Sequence, residues 1–156
     1  MGGEEVPVGP RTDAKTGSSA RESARTKTVV IDDDPTGMQT VHGCLVATRW
    51  DPETLRAALE DDVDFFFVLT NTRAHDAAAA RSLVTEIMKN LEKANRRARF
   101  TLRFIVRSDS TLRGHFPLEL SVVRERCDRR VDAVFVIPAF FEGNRITKDG
   151  VHYIVE

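Results

Sequence analysis

The stretch "VVIDDDPTG", Val29 to Gly37, sets three carboxylates directly behind an apolar run. Adjacent like charges repel, and the end of a buried strand is a costly place to hold them. A Pro-Thr-Gly turn accounts for one carboxylate as a local cap, not for three. The arrangement therefore calls for a partner. It suits a neighbour of a Mg²⁺-nucleotide, a general base for a hydroxyl, or a nucleophile that accepts phosphate.

Outward from this stretch, short apolar runs recur at Val29–Ile31, Cys44–Ala47, Phe65–Leu69, Phe104–Val106 and Ala133–Ile137. They are nearly continuous rather than alternating, as strands buried on both faces are. Helical patterns lie between several of them. "DPETLRAALED" offers Asp51 as N-cap and Pro52 at the first helical position, with Leu55, Ala58 and Leu59 on one face. Residues 76–98 place Ala80, Leu83, Val84, Ile87, Leu91 and Ala94 at helical spacing, and Arg96 and Arg97 crowd the end. "HFPLELSVVRERCDRR" predicts a third helix with Phe116, Leu120, Val123 and Cys127 on its apolar stripe.

This alternation predicts an α/β domain: a mostly parallel sheet with flanking helices, three-layered and Rossmann-like. The link from Thr36 to His42 is too short for a crossover helix, so the second strand is expected to be irregular or antiparallel. "RITKDGVHYIVE" reads as a strand, a Lys-Asp-Gly turn and a strand. The domain, residues 28–156, reads as truncated at its C-terminus, with an open edge that favours homo-oligomers. Residues 1–27, rich in Gly, Ser, Thr and Arg and poor in large apolar side chains, read as a disordered leader.

Composition narrows the partners. A net charge of −1 gives no global field toward nucleic acid or an anionic membrane. No apolar stretch approaches the ~20 residues that span a bilayer. Cys44 and Cys127 lie far apart and read as reduced thiols, which places the protein in the cytoplasm. His42, His75, His115 and His152 lack metal-ligand spacing, and no metal site is expected.

The polar motifs share one address. "DDDPTG", "TNTR" (70–73), "RSDSTLRG" (107–114) and "PAFFEGNR" (138–145) each follow a predicted strand. In an open parallel sheet the carboxyl ends of the strands form the ligand crevice. "RSDSTLRG" brings two guanidiniums, a carboxylate, three hydroxyls and a glycine just before a helix. Free N–H groups at that helix start, with Arg113, suit a carboxylate or phosphate, and Gly114 permits close backbone approach. The simpler reading, an N-cap with local ion pairs, needs only one Ser or Asp. No phosphate-cradling P-loop is present.

Two families resemble parts of this pattern. Asp32, Asp34 and Thr36 spell D-x-D-x-T, which resembles the first motif of haloacid-dehalogenase-like phosphatases, implying Asp32 as nucleophile and Asp34 as acid/base. "FFFVLTN", with Thr70, resembles their second motif, but no acidic Mg²⁺ motif follows. The N-terminal domain of the four-carbon acid sugar kinases resembles far more of the chain, from Thr28 to its end. Its D-D-x-T-G corresponds to Asp33, Asp34, Thr36 and Gly37. Its [KR]-x-D-S-T-x-R-G corresponds to Arg107, Asp109, Ser110, Thr111, Arg113 and Gly114. Thr72 and Arg73 match a further Ser/Thr-Arg, and Pro138, Ala139, Phe140, Gly143, Arg145, Thr147, Gly150, Val151 and His152 match the last motif.

That resemblance implies ATP-dependent phosphorylation of a terminal hydroxyl on a sugar acid such as threonate, erythronate or an oxo-tetronate. ATP and Mg²⁺ would come with a larger C-terminal domain, in cis or in trans, and this portion alone would not turn over. Asp33 and Asp34 would bond the hydroxyls or take the reacting proton. Arg73, Arg113 and the Ser110 region would hold the carboxylate, with Thr36, Gly37, Arg107, Asp109, Thr111, Gly114 and Arg145 completing the binding set. A non-catalytic acid-binding remnant is the third reading.

Overall fold

The structure, a computed structural model, describes residues 25–127 and 130–155. Strands β1 (Thr26–Asp32), β2 (Val46–Ala47), β3 (Phe65–Leu69) and β4 (Thr101–Arg107) form one parallel sheet in the order β2-β3-β1-β4. β1 lies between β3 and β4, and its last residue, Asp32, pairs with Leu69 on one side and Arg107 on the other. The three loops that follow these strands therefore leave the sheet at one edge, side by side.

Helices α1 (Pro52–Glu60), α2 (Ala77–Ala98) and α3 (Leu118–Arg126) pack in sequence, α1 on α2 and α2 on α3. Their apolar stripes close over Val29, Ile31, Phe66 and Val68 with Leu55, Leu59, Val84, Ile87, Leu91 and Val122. Asp51 caps α1 by accepting from the Thr54 N–H at 3.0 Å, and Asp76 caps α2 by accepting from Ala79 N–H at 2.8 Å. At the far end of α2, Arg99 sits in the left-handed region at φ 57°. The Asn95 side chain ties the exit, accepting from Phe100 N–H and donating to the Phe100 carbonyl.

Four expectations are revised. β2 is only two residues long and pairs parallel to β3, because the segment after the Gly37–Thr40 turn runs back along the sheet before it joins the edge. Ala133–Ile137 forms no strand. The run has strand-forming side chains but no ladder partner, and Phe135 and Ile137 stand 85% and 79% exposed. The buried face of α3 is Glu119, Val122 and Val123, while Phe116 lies before the helix and is exposed. β1 begins two residues inside the predicted leader, at Thr26; residues 1–24 of that leader lie outside the described residues.

The tail forms the expected hairpin, β5 (Arg145–Lys148) antiparallel to β6 (Val151–Ile154). Asp149 and Gly150 both take positive φ, 50° and 76°, as a two-residue hairpin turn of the I′ kind requires. Among the described residues no helix is long and apolar enough to cross a membrane.

Leu91 is fully enclosed between α2 and the sheet, so Leu91→Ala is expected to cost about 2–5 kcal/mol of stability. Asp76→Ala, which removes a cap without touching the core, is expected to cost about 1 kcal/mol. Urea denaturation compares the two; equal midpoints for Leu91→Ala and the unaltered chain would remove Leu91 from the core.

Candidate functional site

The rim above β1, β3 and β4 carries the chemistry. Behind β1, Asp33 N–H donates to the Arg107 carbonyl at 3.2 Å, and Arg73 N–H donates to the Asp33 carbonyl at 3.3 Å. These bonds stitch the loops after all three strands together. The Arg73 guanidinium then closes on the Asp33 carboxylate with two parallel bonds, Nε to Oδ2 at 3.1 Å and Nη2 to Oδ1 at 2.7 Å. Its third nitrogen, Nη1, lies 3.4 Å from Asp34 Oδ2. Asp33 is 2% exposed, so this pair is shielded from solvent and geometrically fixed.

A second fork repeats the pattern inside the loop after β4. Arg113 donates from Nε and Nη2 to the two Asp109 oxygens, both at 2.9 Å. Hydrogen bonding from Arg113 holds the Asp109 carboxyl well below the usual carboxylate range, with Thr111 adding its N–H and hydroxyl. Arg113 itself is 65% exposed, so the pair is worth little as a stability element, and the guanidinium faces solvent over the rim. Gly114, at φ +86°, follows Arg113 and lies against the Asp33–Arg73 fork. A Cβ there would lie 3.1 Å from Asp33 Oδ2 and 3.6 Å from Arg73 Cγ.

The remaining carboxylates differ in environment. Asp34 accepts from the Thr36 N–H and hydroxyl, and these bonds lower its pKa. Asp32 is fully buried under Gly37, where a Cβ would sit only 2.2 Å from Asp32 Oδ2 and 2.0 Å from Arg107 Nη1. Burial raises the Asp32 pKa, against the pull of Arg107 3.6 Å away, and Oδ2 has no hydrogen-bond partner. A carboxylate roofed in this way is not presented to a phosphate, so the geometry does not suit Asp32 as a phosphatase nucleophile.

The fourth predicted motif reaches the rim by a different route. Pro138–Arg145 follows no strand, yet Arg145 Nη1 approaches Ser110 Oγ at 3.4 Å. Asp33, Asp34, Thr36, Gly37, Arg73, Arg107, Asp109, Ser110, Thr111, Arg113, Gly114 and Arg145 thus lie on one connected rim. The residues not anticipated there are Glu119 and His115. Glu119, from the first turn of α3, is 2% exposed and bonded to the Thr72 hydroxyl; burial raises its pKa. His115 Nε2 lies 3.1 Å from the Thr72 carbonyl and 2.8 Å from the His75 carbonyl. Both partners only accept, so Nε2 carries the proton. A lone acid in the middle of an apolar helical stripe was the one sequence signal for Glu119.

Among the described residues no group of three or more His, Cys, Asp or Glu side chains is placed to hold a metal ion. Asp33 and Asp109 are each matched to a guanidinium fork and Asp34 to hydroxyl and amide donors, while Asp32 lies beside Arg107 with Oδ2 unpartnered. Such a rim can exchange partners with a small molecule that brings both a carboxylate and hydroxyls.

Residues 28–156 match the family described as the sugar-binding N-terminal domain. No curated protein sequence matches the chain. Among solved structures it is similar to a domain of unknown function (DUF1537) from Bordetella bronchiseptica, crystallised with bound citrate as a domain-swapped dimer. The two share 26% identity with a TM-score of 0.61, over 84% of this chain and 34% of the other. This chain therefore spans about a third of the length of that structure. With the match running unbroken from Thr28 onward, the chain belongs to the family of sugar-binding N-terminal domains.

Proposed function

We propose that this chain is the acid-sugar-binding portion of an ATP-dependent kinase acting on a four-carbon sugar acid of the threonate, erythronate or oxo-tetronate type. The observation that carries the reading is the pair of forked carboxylate–guanidinium contacts, Asp33–Arg73 and Asp109–Arg113, with Gly114, next to Arg113 in the chain, lying close against Asp33 and Arg73. Arg113, exposed and anchored through two of its nitrogens, is the guanidinium that receives the ligand carboxylate, with the Ser110 hydroxyl and Arg145 beside it. Asp34, 23% exposed against 2% for Asp33, is the carboxylate that meets a ligand hydroxyl, and Asp33 holds Arg73 in place. A sugar-binding family and a citrate-bound relative both fit a small hydroxylated acid as ligand.

Among the described residues there is no group of three or more metal-ligating side chains, and the sequence carries no P-loop. ATP and Mg²⁺ would come with a C-terminal ATP-binding domain supplied in cis or in trans. The swapped dimer of the relative supports self-association of this chain as well. Cys44 and Cys127, both free thiols, suit a reducing cytoplasm.

Calorimetric titration with threonate, erythronate and citrate tests the site. Arg113→Ala is expected to weaken binding about ten- to a hundredfold, the worth of a charge-assisted bond. Unchanged affinity would reject Arg113 as the carboxylate receptor. The 156-residue chain is further expected to bind the acid without consuming ATP; turnover measured with any tetronate would place the nucleotide site within these residues.

A further inference from the structure

The chain moves across its sheet in one direction. β2 leads through α1 to β3, β3 leads through α2 over β1 to β4, and every pair in the sheet is parallel. α1, α2 and α3 lie side by side, and the core they share with Val29, Ile31, Phe66 and Val68 puts all three on one face. Right-handed crossovers on one face all step the same way. The step that begins with α3 therefore leads outward, past β4. At its end Arg126 and Cys127 line a groove together with Leu91 of α2 and Leu102 and Phe104 of β4. The place beside β4 thus belongs to a further parallel strand, yet among the described residues β4 has no neighbour on that side. Nothing in β4 blocks an incoming strand: it has no proline, and it pairs with β1 without a break from Thr26↔Thr101 to Asp32↔Arg107.

Residues 131–137, next in the chain, have strand-forming side chains, lie exposed and join no ladder. Strand alternation puts Val131, Ala133, Phe135 and Ile137 on one face and Asp132, Val134 and Val136 on the other. The first set continues the helix-side row of β4, Leu102, Phe104 and Val106, which packs against the core. The second continues the opposite row, with half-exposed Ile105 and exposed Arg103, so the single carboxylate of the segment meets a guanidinium. Within one chain Asp132 has only Arg130, 3.3 Å away with both side chains in solvent, a contact of little worth. We propose that the outer edge of β4 is a docking site for residues 131–137 of a second copy, the two copies exchanging this segment reciprocally about a two-fold axis. Edge and segment are complementary surfaces of one chain, both left unused in it, and a two-fold arrangement lets each copy fill the other.

This gives a site to the self-association proposed above and is independent of the acid-binding reading. Sedimentation velocity of the 156-residue chain over a dilution series is expected to show a monomer–dimer equilibrium. Phe135→Asp, at an exposed position outside the core, is expected to weaken the dimer at least tenfold, because it sets an unpaired charge against the helix-side row. Arg103→Asp and Asp132→Arg each set like charges opposite one another at both contacts, and each is expected to weaken the dimer about tenfold. Mixed in equal amounts, these two variants regain opposite charges at both contacts and are expected to form a heterodimer as tight as the unaltered dimer. A chain that stays monomeric at every dilution overturns the proposal together with self-association. A dimer indifferent to Phe135→Asp and to both charge reversals leaves self-association standing and overturns this edge as its site. A mixture no tighter than its components overturns the exchange between copies and assigns the segment to its own β4.

Discussion

The molecule is organised around the grip of Arg73 on Asp33. That contact joins the end of the central strand to the loop after β3, and it can form only because β1 and β3 run parallel and in register up to Asp32 and Leu69. A one-residue slip would turn Asp33 to the other face of the sheet. The register is secured by the alternate residues below, Val29 and Ile31 beside Phe66 and Val68, packed against the helices. Core packing and rim chemistry are thus one constraint seen at two heights. The desolvation of Asp33 is offset by two charge-assisted bonds with near-ideal geometry, the condition under which a shielded ion pair is tolerable.

Above that fixed pair the rim becomes progressively more open. Asp109 and Arg113 repeat the same fork further out, with the Arg113 side chain 65% exposed to water and Asp109 only 8% exposed beneath it. The gradient from locked to exposed suits recognition of a small polar ligand. Charge is nearly balanced across the rim, where Asp32, Asp33, Asp34 and Asp109 meet Arg73, Arg107, Arg113 and Arg145.

The sequence was most legible where local rules dominate. Asp51 and Asp76 sit at their helix starts, the Asp-Gly turn closes the tail hairpin, and the parallel sheet follows from the alternation of short apolar runs with helices. The nearness of three of the four motifs was legible because each trails a strand, and parallel strands share one exit edge. What was not legible depends on tertiary contacts. Lys27 reads as the last residue of a polar leader, yet it is buried and donates to the carbonyls of Asp61 and Val63. Glu119 interrupts an apolar stripe, but nothing local names its partner, since Thr72 lies 47 residues away in the chain. Ala133–Ile137 has the side chains of a strand, but a strand also requires a neighbour, and side-chain type says nothing of that.

That last segment has a practical consequence. From Val131 to Ile137 the chain presents five large apolar side chains, relieved by a single carboxylate, with backbone amides engaged in no ladder among the described residues. Such a ribbon is adhesive toward any other extended backbone, its own twin included. The concentration at which the protein is handled, and the presence of a chaperone during its synthesis, therefore bear on its fate as directly as temperature or salt.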